Sequence, residues 1–312
     1  MGKIWQVLES STLGFAIGDA MGVPVEFVSR KELLKKPVTK MLGHGSHDVP
    51  PGTWSDDTSM VLATMASLVH KKGFDPNDLA DFFCKWLNEA AFTATDEIFD
   101  IGTTTKYALL RYYHNDVDAT TCGATGRNEN GNGSLMRMLP LALYSYIKKV
   151  DVLKLVTEAS SITHAHEISI LGCYLYVCYV HFLLETNQPD QAFLLLQKIS
   201  LSLFSKEARD AYHRLLSPDF LKLELEDISS TGYVVDTLEA TIWVFHHTTD
   251  FKSAIIGAIN LGDDTDTIGA LVGSLAGIYY GSRSFPPAWK KALLRKEKIL
   301  DLCYELEHLL TD

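Results

Sequence analysis

The chain has 312 residues, 46% of them hydrophobic, and 39 acidic against 28 basic side chains give a net charge of −11. That length and apolar content can fill one large core or two modest ones. No basic stripe or arginine-rich tail interrupts the negative balance, so nucleic acid is not expected as the main substrate.

The five cysteines (Cys84, Cys122, Cys173, Cys178 and Cys303) are odd in number and lack metal-ligand spacing. They read as reduced core thiols of a cytoplasmic protein. The opening MGKIWQVLESSTLGF has no long apolar stretch, so no secretory signal is expected.

Residues 4–18 carry Ile4, Val7, Leu8, Leu13, Phe15 and Ile17 at helical spacing. Gly14, Gly18 and Gly22 then recur every fourth position, which gives a flat helix face able to meet another backbone. Glu26 follows Pro24 on an expected loop, where a solvated acid is the plain reading. Residues 35–53 hold three prolines and three glycines, a long loop of the kind that often serves function.

That loop leads into Ser55-Asp56-Asp57 at the start of an apolar helical pattern. Taken alone, these residues read as a helix cap, although a helix dipole favours a nearby anion by only about 0.3–1 kcal/mol. Asp75-Pro76 opens the next helix, and a further segment runs from Thr95 through Phe99-Asp100-Ile101-Gly102-Thr103 into residues 107–113. The stretch Asn130-Gly131-Asn132-Gly133-Ser134 feeds a helix expected over 134–146 and reads either as a flexible loop or as an anion cradle. No lysine follows these glycines in the manner of a Walker loop.

Asp151 caps a helix to about residue 163, and His164-Ala165-His166-Glu167 begins the apolar run 168–184. That run is short for a bilayer, contains His181 and lacks basic flanks, so a buried central helix is expected rather than a membrane span. His164 reads as a substrate contact or a cap, since the order is not HExxH. Two amphipathic helices over 189–216, an irregular segment to 232 and helices over 237–247 and 251–261 follow. A small-residue helix over 268–280 and a last helix over 296–310 complete the chain. Segments alternating with period two are nearly absent, which predicts an all-α single domain over residues 1–312 with about a dozen helices.

The richest stretch is Gly262-Asp263-Asp264-Thr265-Asp266-Thr267. Asp and Thr are ordinary caps, yet one cap needs one such residue, and crowded carboxylates repel. Divalent cations that take oxygen ligands are the usual way to hold such acids together. Asp264 and Asp266 are therefore expected on a loop and the first residues of a helix, and Ser55-Asp56-Asp57 repeats the pattern 200 residues earlier.

Together these stretches resemble the ADP-ribosylglycohydrolase family. The matching segments are GDAMGVPVEF (18–27), WSDDTSM (54–60), FDIGTTT (99–105), NGNGSLMRMLPLAL (130–143), THAHE (163–167), TGYVVDTLEA (231–240) and NLGDDTDTIGALVGSLAGIYYG (260–281). The resemblance implies a compact all-α fold with a central cleft holding two Mg²⁺ ions, or Mn²⁺, and an ADP-ribosylated protein or ADP-ribose derivative as substrate. It implies Ser55, Asp56, Asp57, Asp264, Asp266 and Thr267 as metal ligands, and Glu26 or Asp57 as catalytic base. Substrate contacts are implied for Asp100, for the Asn132-Gly133-Ser134 backbone at the diphosphate, for His164 at ribose or phosphate, and for Tyr233 at adenine. A monomer without a membrane partner is expected.

Three positions depart from the family's usual pattern. Ser55 stands for threonine and keeps the hydroxyl; Asp263 stands where glycine is common; Thr103 replaces a frequent asparagine near the leaving side chain. The implied reaction is removal of ADP-ribose from a protein side chain, with arginine the expected linkage. Hydrolysis of serine-linked ADP-ribose or O-acetyl-ADP-ribose, and non-catalytic binding of ADP-ribose, are the competing readings.

Overall fold

Fifteen helices account for the regular structure of the computed structural model, which describes residues 2–115 and 117–312. They are α1 (Lys3–Gly22), α2 (Arg30–Lys35), α3 (Asp56–Lys71), α4 (Pro76–Glu89) and α5 (Thr103–Asn115). Next come α6 (Leu139–Lys148), α7 (Val152–Ser161), α8 (Glu167–Thr186), α9 (Pro189–Gln197) and α10 (Lys206–Ala211). The last five are α11 (Val234–His246), α12 (Phe251–Ile259), α13 (Thr265–Tyr280), α14 (Pro287–Ala292) and α15 (Lys296–Thr311). No strand occurs among the described residues; two isolated bridges, Ala124 with His164 and Gly131 with Tyr233, are the sheet-like pairings.

The fold is organised around the crossing of α1 and α13. Gly14 faces the Gly273 carbonyl, Gly18 faces Gly269, and Gly22 faces the Asp266 backbone. These pairs run in opposite chain directions, so the helices are antiparallel and the C-terminal end of α1 meets the N-terminal end of α13. With no Cβ on either side at the first two pairs, the two backbones touch directly there. The expected flat glycine face is thus real, and α1 continues helically through it to Gly22 rather than ending near residue 18.

Helix α8 forms the other half of the core. It is long and apolar enough to cross a membrane, but 72% of its most apolar window is buried inside the fold. Tyr176 on α8 shares a 2.7 Å hydrogen bond with Ser274 on α13, which satisfies two buried hydroxyls at once. All five cysteines are buried free thiols, four in apolar helix faces and Cys122 just past a short 3₁₀ turn.

Local chemistry places the helix ends. Asp75, Asp151 and Asp250 each accept backbone N–H groups from the first turn of α4, α7 and α12. Three expected boundaries move. The helix expected from residue 134 starts at Leu139, after a single 3₁₀ turn over Leu135–Arg137. Residues 95–102 are not helical, with Asp96 and Asp100 in left-handed backbone conformations, so α5 starts only at Thr103. Helix α11 starts at Val234, three residues earlier than its apolar pattern suggests.

Candidate active site

Three helix ends converge below one cleft: the end of α1 and the starts of α3 and α13. Asp19, on the last turn of α1, is fully buried. Its Oδ1 accepts from the Ser55 N–H at 2.9 Å, and its Oδ2 accepts from the Thr58 N–H at 3.0 Å and the Thr58 hydroxyl at 2.6 Å. An acid from another helix thereby caps α3 and fixes Ser55, Asp56 and Asp57 in place. The α1–α13 contact sets the same end of α1 against Asp266.

Carboxylate oxygens of Asp19, Asp57 and Asp266 lie within 4.8 Å of one another, all buried. The Thr267 hydroxyl donates to Asp57 Oδ1 at 3.4 Å, while Asp57 Oδ2 is buried with no hydrogen-bond partner among the described residues. Burial, then the neighbouring acids, pushes Asp56, Asp57 and Asp266 well above the usual carboxylate range. Burial likewise raises Asp264, against an opposing hydrogen bond from Asn132, and lifts Asp19 to about 6. Crowded, partly unpartnered oxygens on a rigid frame suit a hard cation. Asp19 accepts three hydrogen bonds from Ser55 and Thr58, which orients the donor set of α3. The residues present fit a divalent cation.

Asp264 caps α13 from a non-helical conformation and Asp266 follows in the first turn, as the sequence suggests. Asn132 donates to Asp264 Oδ2 at 2.7 Å and to the Thr237 hydroxyl at 3.0 Å, so its side chain aims the acid. Asp263, the unusual acid, has φ of 59° and is exposed. A left-handed backbone explains why glycine suits this position, and aspartate tolerates it. Its backbone also pairs with the loop bearing Glu26: Phe27 N–H donates to Asp263 O at 2.7 Å, and Asp263 N–H to Val28 O at 2.9 Å.

That pairing holds Glu26 over the cluster. Far from being a solvated loop acid, Glu26 is 5% exposed and bonded to His47 Nε2 at 2.5 Å. Burial pushes its carboxyl up to about 8, the His47 bond opposes this, and Asp100 and Asp264 add to the rise. His47 comes from the long loop before α3 and packs between the rings of Phe27 and Phe99. Nothing in the sequence around His47 marks it, beyond the loop's unusual length.

Glu26, Asp56, Asp100, Asn132, His164 and Asp264 all line one cavity of about 300 Å³, with Gly133, Thr103 and Thr267 also on its wall. Ser55, Asp57 and Asp266 lie just beneath its floor. Ser134 is not among the residues that line this cavity. Its side chain is fully buried, with the hydroxyl 2.9 Å from that of Ser160 and 3.3 Å from the Cys173 sulfur, behind the wall rather than on it. The 3₁₀ turn that delays α6 draws Ser134 inward. Tyr233 also stands apart from this cavity, lining an adjoining groove of about 950 Å³ that shares Gly131 and Gly232 with it.

Behind the Asn132-Gly133 turn lies Arg137, fully buried and, among the described residues, without a carboxylate partner. It donates to the carbonyls of Gly133 (3.3 Å) and Ala159 (3.0 Å) and to the Thr163 hydroxyl (2.8 Å), and its guanidinium sits 4.6 Å from the Phe83 ring centroid. Burial lowers it to about 9, so it stays charged at neutral pH. The cleft is therefore bipolar, with acids below one side and a fixed cation behind the other. A single arginine inside the apolar run 135–143 is the signal that could have found it.

Fold and site together define an all-helical protein with an acidic, cation-ready cleft. The chain belongs to the ADP-ribosylglycohydrolase family, which it matches over residues 9–312. It is 30% identical to the ADP-ribosylarginine hydrolase Tri1 of Serratia proteamaculans (strain 568), over 96% of this chain and 78% of that one. It is 33% identical to the ADP-ribosyl-[dinitrogen reductase] glycohydrolase of Rhodospirillum rubrum, over 90% of this chain and 88% of that one. A solved structure described as an ADP-ribosylglycohydrolase-related protein complex superposes with a TM-score of 0.83 at 30% identity, covering 99% of each chain.

Proposed function

We propose that this protein removes ADP-ribose from a modified protein by hydrolysing its N-glycosidic link to arginine. The convergence of two distant acidic stretches around the unpartnered Asp57 Oδ2, at the floor of a cleft walled by Asn132, Gly133 and His164, carries this reading. The similarity to ADP-ribosylarginine hydrolase Tri1 supports the arginine linkage. We assign two Mg²⁺ ions, replaceable by Mn²⁺, to Ser55, Asp56, Asp57, Asp264, Asp266 and Thr267. Bound there, the cations would offset the carboxylate charge, acidify a water and hold ribose hydroxyls.

The protein's own groups divide the remaining work. Asn132 keeps Asp264 aimed, and Asp19 keeps the α3 acids aimed. Glu26 is the group we assign to take the proton from the attacking water, since a guanidine leaving group needs little acid help and the demand falls on a base. Its elevated proton affinity in the bare cleft would fall once positive charge is supplied. The diphosphate lies over the Asn132-Gly133 turn with Arg137 behind it, the adenine reaches Tyr233 in the adjoining groove, and the leaving side chain points past Asp100 and Thr103 toward Phe27.

Incubation with arginine-ADP-ribosylated protein and Mg²⁺ tests the assignment. Release of free ADP-ribose by the wild type and its loss in Asp264→Ala/Asp266→Ala are expected. No release from the arginine link, with turnover of serine-linked or O-acetyl substrate in a linkage panel, would replace the linkage. Tight ADP-ribose binding without turnover of any linkage would make the protein a binder instead.

A further inference from the structure

His164 is 2% exposed, and its backbone is fixed by Ser160, which receives the His164 N–H at 2.7 Å and donates its hydroxyl to the His164 carbonyl at 2.7 Å. The two ring nitrogens meet different surroundings. Nδ1 lies 2.8 Å from the Thr163 hydroxyl. Nε2 faces the glycine turn of the cleft wall, where a Cβ on Gly131 would stand 3.6 Å away and one on Gly133 3.5 Å away.

The direction of the Nδ1 bond follows from Arg137. A guanidinium can only donate, and its Nη2 donates to the Thr163 hydroxyl at 2.8 Å. That oxygen is thus an acceptor toward Arg137, and its own proton needs an acceptor in a fully buried site. Among the described residues His164 Nδ1 is the acceptor within reach. Were Nδ1 protonated, two donors would converge on one hydroxyl and the threonine O–H would be stranded, a cost folded proteins rarely carry. The proton therefore runs from Thr163 to Nδ1, which leaves hydrogen on Nε2.

We propose that Arg137 and Thr163 are positioning residues that lock His164 as its neutral Nε2–H tautomer, so that the cleft presents a fixed donor to an oxygen of the bound ligand. Such a histidine cannot act as a base at Nε2, and it adds no charge to a site already rich in titratable groups. Burial and then the Arg137 charge hold His164 down to about 3, in keeping with the geometry. Thr163, with Arg137 behind it, and the Gly131 and Gly133 turn stand against its ring, and the acids of the cleft, Glu26, Asp56, Asp100 and Asp264, line the same cavity. The tautomer rests on geometry alone. The ligand half of the inference rests on the ADP-ribose reading above.

Imidazole ¹⁵N NMR on the histidine-labelled full chain decides the first half, with His164 assigned by the signal missing in His164→Gln. A pyrrole-type shift at Nε2 and a pyridine-type shift at Nδ1, unchanged over roughly pH 5 to 8, is expected. Protonated Nδ1, or titration within that span, would overturn the proposal whatever the enzyme's substrate. For the second half, Thr163→Val should release the lock, mix the tautomers and weaken ADP-ribose binding about tenfold by calorimetry, and Thr163→Ser should restore both. Equal weakening for ADP would place the accepting oxygen on the diphosphate, and weakening for ADP-ribose alone would place it on the distal ribose. A Thr163→Val protein with wild-type spectrum and wild-type affinity would sink the positioning role.

Discussion

Gly18 on α1 and Gly269 on α13 meet backbone to backbone, so close that a Cβ on Gly18 would stand 1.9 Å from the Gly269 carbonyl oxygen. This contact decides where Asp19 and Asp266 sit, because each lies within three residues of it. Gly18→Ala should force the helices apart and cost about 3 kcal/mol or more, at the upper end of overpacking effects, since the obstacle is backbone rather than a movable side chain. Gly73→Ala is the matched control, as its Cβ would meet the Tyr144 hydroxyl at an ordinary 3.5 Å. Thermal denaturation of the two variants checks the contrast; similar midpoints would mean that the crossing is not tight.

Asp57 gives a prediction in which stability and activity move oppositely. Its Oδ2 is buried without a partner among raised acids. Asp57→Asn removes a repelling group and supplies an amide donor to Asp19 or Asp266. With chelator present the variant should melt higher than wild type by a few degrees, on the order of 1 kcal/mol or more. Hydrolysis in Mg²⁺ should fall at least about a hundredfold. A lower melting point under chelator would mean that Asp57 has a stabilising partner after all.

The fold was legible where its causes are local. Caps at Asp75 and Asp151, the apolar periods and the glycine spacing of α1 each report on a few neighbouring residues, and the helices they start stand where expected. The acidic pairs were legible because like charges without basic neighbours demand a reason. Asp19, His47 and Arg137 were not, because each acts through a partner far along the chain or across the fold: Thr58, Glu26 and Thr163. Ser134 shows the limit of motif reading: the motif speaks for its backbone, while its side chain, just before a 3₁₀ turn, is packed in the core.

Acid-base linkage should make the cation-free protein less stable as pH rises. Asp19 is raised to about 6 and Glu26 to about 8, from ordinary values of 3.8 and 4.5. Both keep protons in the folded state that the unfolded chain has already lost. Their favourable contribution is complete below about pH 4 and disappears as pH climbs through 6 and then 8. Melting curves in chelator from pH 5 to 8.5 should therefore decline by several degrees, roughly, beyond any general drift, and added Mg²⁺ should flatten the decline. A rise across that range would contradict the buried, repelling cluster.

His47 should tune Glu26 rather than bind substrate directly. Its hydrogen bond favours the ionised carboxylate, against the burial that raises it. In His47→Ala the carboxyl holds its proton to higher pH, so a base that must be ionised becomes available later. The acid limb of the pH–rate profile should move upward, with kcat at neutral pH lowered about three- to tenfold and ADP-ribose affinity little changed. An unshifted limb with lower kcat would remove Glu26 from the role of base.

Tyr233 is separated from the reacting cavity yet tied to it. Its neighbour Gly232 accepts from the Asn132 N–H at 3.0 Å, and the Val234 N–H donates to Asn130 O at 3.0 Å, so the start of α11 is strapped to the Asn130-Gly131-Asn132 turn. Tyr233 stays 39% exposed beside the larger groove. A ligand reaching from the acids across Gly131 and Gly232 would bring a nucleobase to this ring, and base–aromatic stacking contributes about 1–3 kcal/mol. Tyr233→Ala should raise KM by at least about fivefold while kcat stays near wild type, because the ring is remote from the bond that breaks. Tyr233→Phe, which keeps the stacking face, should behave as wild type. Loss of kcat in the alanine variant would instead place Tyr233 in the machinery that aims Asn132 and Asp264.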